Sequence, residues 1–278
     1  MTTATATVDP RTSPTRGSSS PLRRFAALAT AEWSQLRRNT TLMFTALTFP
    51  VAMPIIIYLL ARSADGGNHI FAALSMEMFF AFALLFVQFY TVLSMATTRR
   101  DEHVLKRLRT GEARDAEILA AISWPGAVLS AVLFVIVSGL LVLLGAPFAV
   151  NIVPVAVAFL LGLAASALLA FMTSAYTRNA EAAQLTSMPV MVLALGSMSS
   201  LRALLPENVQ GVLDWTPFAL MYDLAITGWS GLEPGQNAAP MDFTEVLVHT
   251  WQPMLALAAW VVALAYLLPR VMTWDTRR

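Results

Sequence analysis

The chain has 278 residues, 57% of them hydrophobic and 13% charged, with a mean hydropathy of +0.63. A soluble domain usually carries about 25% charged and roughly 45–50% apolar residues, so this balance suits a chain whose solvent is partly lipid. The net charge of +1 constrains little, but zero cysteines exclude disulfides, thiolate metal sites and cysteine nucleophiles, and His69, His103 and His249 are too scattered to suggest a metal cluster.

Residues 1–21 are rich in Thr, Ser, Pro and Arg and poor in large apolar side chains, the composition of a disordered tail. From Leu22 to Arg38 apolar residues recur at helical spacing through Phe25, Ala29, Trp33 and Leu36, bracketed by Arg23, Arg24, Arg37 and Arg38. That pattern predicts an amphipathic helix (22–38) at the inner membrane surface, with Trp33 at headgroup depth and arginines meeting anionic lipid. Residues 39–278 then read as a transmembrane domain. Six spans are expected near 41–60, 70–97, 118–144, 152–176, 185–201 and 246–268, the fifth barely long enough for the ~30 Å hydrocarbon layer. Pro50, Pro54, Pro125, Pro189 and Pro253 fall inside them and predict kinks rather than breaks. The fold class expected is an all-α polytopic membrane protein with short external helices between spans 5 and 6.

Basic residues set the orientation. Sixteen of the eighteen fall on one side, which predicts cytoplasmic N- and C-termini and leaves only Arg62 and Arg202 outside. The external segment 202–245 is acidic and lacks lysine, with a short apolar piece around Trp215–Tyr222 that is too short for a seventh span. Near its end Glu245 and His249 are four residues apart and could pair.

The longest cytoplasmic loop, 98–117, contains Arg99-Arg-Asp-Glu-His-Val-Leu-Lys-Arg-Leu-Arg109. Val104, Leu105 and Leu108 form a small apolar ridge flanked by Lys106, Arg107 and Arg109, with Gly111 as a stop. Such a helix suits docking into a groove on a soluble partner, or serves only as a positive-inside anchor. The run Arg99 to Arg109 resembles the coupling loop of type-2 ABC exporter permeases. Arg178-Asn-Ala-Glu-Ala-Ala-Gln184 resembles the stretch leading into that family's fifth span, and Leu205-Pro-Glu-Asn with Trp215-Thr-Pro217 resembles its external helix. His103, where many relatives carry Gly, departs from the pattern.

The resemblance implies the permease half of an ATP-driven exporter in the bacterial inner membrane. Its energy would come from a cytoplasmic ABC ATPase, and a second permease copy or paralogue would complete a 2+2 assembly in the bilayer; no nucleic acid is implied. ATP and Mg would bind the partner, and this chain would hold no cofactor. Lys106 is the only lysine and no glycine stands directly before it, so a P-loop is ruled out. The coupling role would fall on Glu102, Val104, Leu105, Lys106, Arg107, Leu108 and Arg109, and the interfacial role on Phe25, Trp33, Arg37 and Arg38.

An ionisable or strongly polar group inside a span marks a candidate site. Glu77 and Gln88 lie eleven residues apart, about three α-helical turns, and are expected on one face of the second span. By analogy with the family, Glu77, Gln88, Met188, Met191, Ser197 and Met198 would face the route of an apolar or amphipathic cargo such as a drug, lipid or peptide. The alternative is that Glu77 reaches external water and the methionines pack. A secondary carrier or channel would need buried charge pairs or paired broken helices, and an enzyme would need clustered His, Asp or Glu. Neither pattern is present. A sensor or assembly factor that binds an ATPase fits the same residues.

Overall fold

The computed structural model of the chain describes residues 21–65, 69–102, 114–179, 181–234 and 239–272. Every regular element among these residues is helical: α1 (Pro21–Arg38), α2 (Thr40–Asp65), α3 (His69–Phe82), a π-helical segment (Ala83–Tyr90), α4 (Thr91–Asp101), α5 (Asp115–Leu143), α6 (Ile152–Ser174), α7 (Ala183–Gly196), α8 (Ser199–Arg202), α9 (Glu207–Leu213), α10 (Pro217–Ser230) and α11 (Phe243–Val271). α3, the π segment and α4 run on as one 33-residue rod, the second span. This rod, α2, α5, α6 and α11 are each long and apolar enough to cross a bilayer. All five prolines expected inside spans sit within helices that continue past them.

The fifth expected span, 185–201, is shorter than the pattern implies. α7 has 14 residues, about 21 Å at 1.5 Å per residue, and stops at Gly196. The chain turns at Ser197 and Met198 and restarts as α8, because Glu77 of the second span holds the new helix start. The Glu77 carboxylate accepts from the Ser199 backbone N at 2.5 Å and from its Oγ at 2.8 Å. A contact across 122 residues leaves no local trace in the sequence.

The second span is the centre of the bundle. Phe79 and Phe80 are fully buried and pack with Phe134 of α5 and Phe159 of α6, whose rings stack 4.8 Å apart. Two glycines bring α5 and α6 close to its π segment. A Cβ on Gly126 would stand 2.8 Å from the Val87 carbonyl, and one on Gly162 would stand 2.8 Å from Leu84 Cδ1. Small residues at helix crossings are how membrane bundles gain close backbone packing.

The apolar piece after Trp215 is α10, and except for Asp223 all its residues are buried against the second span and α6. Thr216 caps it by accepting from the Ala219 N–H at 3.2 Å, and Gly231 ends it at φ +70°. The α6 N-cap, Asn151, locks onto it: the Asn151 N–H donates to the Gly228 carbonyl at 2.9 Å, and Asn151 Nδ2 donates to the Phe243 carbonyl of α11 at 2.9 Å.

α1 docks along α5. Phe25 meets Trp124 edge-to-face at 5.6 Å, Ala29 and Leu36 are buried, and Trp33 is half-buried against the core, while Arg37 and Arg38 stay exposed. Much of the apolar stripe that the sequence assigns to lipid is therefore covered by protein.

Candidate transport crevice and coupling face

At the basic end of the bundle three arginines tie the helices together. Arg99 of α4 pairs with the buried Glu32 of α1 at 3.0 Å, and Arg24 of α1 reaches Glu117 of α5 at 3.4 Å. Burial pushes the Glu32 carboxyl above the usual carboxylate range, opposed by the Arg99 charge beside it. Arg100 is buried and donates to the Ser174 and Thr177 carbonyls at the end of α6. A cation there satisfies carbonyls that a helix C-terminus leaves open. Glu102 is exposed, 3.9 Å from Arg99. Val104, Leu105, Lys106, Arg107, Leu108 and Arg109 lie outside the described residues.

In the same half of the molecule a cavity of about 610 Å³ opens between the start of α2, the π segment with α4, and α7. Asn39, Thr41 and Thr45 line one wall, Phe86, Tyr90 and Ser94 a second, and Gln184, Ser187, Met188 and Met191 the third. Apolar rings, thioethers and neutral polar groups alternate around it, with no charged side chain among them. Such a lining suits an amphipathic molecule that keeps a few hydrogen bonds. Met188 is exposed and Met191 partly so, as residues on an open wall must be.

The other four expected pathway residues are interior. Glu77 and Gln88 are 1% exposed, Ser197 is fully buried and Met198 is buried. Glu77 holds α8, and Ser197 Oγ lies 3.0 Å from Thr216 Oγ1. Glu77 and Gln88 do not share a face either: Glu77 faces Ser199, whereas Gln88 faces Ser123 of α5. The π segment between them is the reason. Each π turn holds more residues than an α turn, so the eleven-residue phase that aligns them on an α-helix is lost.

The acidic end carries a polar cluster that sequence reasoning did not assemble. Arg202 is buried and bridges Asp214 at 3.1 Å and Asp223 at 2.7 Å. His249 pairs with Glu233 rather than with Glu245, because Glu245 is engaged in the capping box of α11, accepting from the Asp242 N–H at 2.9 Å. Arg202, Asp214, Asp223, Glu233 and His249 line a cavity of about 510 Å³. Burial pushes the Asp223 carboxyl up to about 6 against the pull of Arg202. A lone arginine in a stretch with six acids was the available signal.

Among the described residues, a helical bundle with five apolar helices of spanning length and a sixth shorter one marks a multi-pass membrane protein. The profile of the ABC-2 type transporter family matches residues 23–228, from α1 to α10, and the chain belongs to that family of transport permeases. No individually curated protein matches the sequence.

Proposed function

We propose that the chain is the permease subunit of an ATP-driven exporter, with its basic end in the cytoplasm and both termini on that side. A separate ABC ATPase supplies the energy and binds ATP and Mg, and two permease copies or paralogues share the bilayer. The ATPase docks on the face formed by α1, the end of α4 and residues 102–109, with the Leu105 and Leu108 ridge as its apolar contact. An apolar or amphipathic cargo enters from the inner leaflet through the cavity lined by Met188, Met191, Phe86 and Tyr90.

The observation that carries this reading is the junction immediately before that loop. Arg99 and Arg100 are neighbours, yet one holds α1 and the other holds the end of α6. A push on the loop therefore reaches three elements at once, which is what a coupling loop needs. Co-purification with the partner ATPase, followed by ATPase and efflux assays in lipid, tests it. Leu105→Asp and Leu108→Asp should release the ATPase or uncouple its activity, and an unchanged complex with unchanged activity overturns the assignment. Ser94→Trp, which fills the cavity, should abolish efflux while the ATPase stays bound.

A further inference from the structure

Gln88 sits in the π segment, 1% exposed, and lines a crevice of about 400 Å³ on the side of the second span away from the Met188 cavity. The crevice lies between α5 and α6 and, apart from Gln88 and Ser123, is apolar, walled by Leu119, Leu160, Leu163, Ala164, Ala167 and Phe171. Small side chains such as Ala164 and Ala167 create the space.

The amide of Gln88 is poorly satisfied. Its Nε2 reaches the Ser123 carbonyl at only 3.5 Å, and its Oε1 is buried with no hydrogen-bond partner. That oxygen packs against Gly126, where a Cβ would stand only 2.7 Å from it, so no side chain can be placed between them. A buried carbonyl without a donor is costly in a low-dielectric environment. Water is an unsuitable donor because it needs two to four polar partners. Ser123 Oγ, also in the crevice lining, already donates to the Leu119 carbonyl at 2.7 Å.

We propose that this crevice binds a neutral apolar molecule, dissolved in the bilayer, that donates one hydroxyl or N–H to Gln88 Oε1. Walls built from spanning helices make the lipid phase the source, and the absence of charged side chains from the lining selects a neutral ligand. The volume falls within the ~300–1,000 Å³ range of small-molecule pockets. This site is separate from the cavity proposed for cargo and does not depend on that reading.

The test uses a matched pair of probes, 4-octylphenol and its methyl ether, which differ chiefly in one donor. Binding to the full-length chain released from lipid nanodiscs is followed by native mass spectrometry. One phenol per chain should bind roughly tenfold tighter than the ether, the factor expected of one buried hydrogen bond. Gln88→Leu should remove that preference while ether binding persists. Ala164→Phe keeps the glutamine but fills the crevice, and should lose both probes. Equal binding of the two probes to the unmodified chain, or a phenol preference that survives either substitution, overturns the site. If Gln88→Leu does not fold, Ala164→Phe alone decides it, because residue 164 is partly exposed at the rim.

Discussion

Glu77 and Ser199 join the second span to α8: a buried carboxylate on the span holds both the backbone N–H and the hydroxyl that start the short helix. Glu77→Ala leaves that N–H without its acceptor inside the protein, a loss of about 1–3 kcal/mol. Glu77→Gln keeps one acceptor and should cost less. Thermal unfolding in nanodiscs ranks the three proteins. An alanine variant as stable as the unmodified chain refutes the capping role.

The Glu32–Arg99 pair is the tether of α1 to the second span. Removing either partner strands the other in a mostly buried setting, so Glu32→Ala and Arg99→Ala should each destabilise by about 2–4 kcal/mol. Their effects should not add. A double-mutant cycle on unfolding midpoints should give a coupling of about 1–3 kcal/mol, and additive losses would mean that the two residues act independently.

Asp223 makes the acidic end pH-sensitive. Its folded-state value is raised to about 6 from an ordinary 3.8, so the folded protein holds this proton more tightly than the unfolded chain does. Stability from this group is fully present below the ordinary value and is lost as pH rises through about 6. Compared with Asp223→Asn, the unmodified chain should therefore lose melting temperature between pH 4.5 and 6.5 and run parallel above it. Parallel curves throughout that window would rule the effect out.

Two glycines of α5 should respond in opposite directions. A Cβ on Gly126 would meet the Gln88 oxygen and the Val87 carbonyl at 2.7 and 2.8 Å, whereas one on Gly139 meets nothing within 4 Å. Gly126→Ala should destabilise by about 1–3 kcal/mol through overpacking. Gly139→Ala should be neutral or stabilise by up to about 1 kcal/mol, the helix-propensity gain. Thermal unfolding of the pair reads the contrast directly.

Local pattern made some of this fold legible and left the rest hidden. The long apolar runs from Asp115, Ile152 and Phe243 mark their helices unaided, and the amphipathic spacing from Leu22 marks α1. What hid was set at a distance. The break after Gly196 depends on Glu77, and the π segment is packed closely by Gly126 and Gly162 from two other helices. Once the π segment exists, every facing inferred by α-helical phase across it is displaced, which is why Gln88 left the face of Glu77. α10 was legible as apolar but not as buried, because its partners lie on spans far away in sequence. The cavity wall at Met188 and Met191 was half-visible. Its opposite wall, from Asn39 to Thr45, carried no signal beyond a polar start to the first span.

Arg100 turns two spans into a yoke. Its guanidinium grips the Ser174 and Thr177 carbonyls from the end of α4, so the basic tips of the second and fourth spans travel together. A displacement of that end is then shared by two rods rather than bending one. A hinge in this half of the bundle would have to lie elsewhere. The 14-residue α7, flanked by the turn at Ser197, is lightly packed against its neighbours and is the part of the bundle best able to turn on its own.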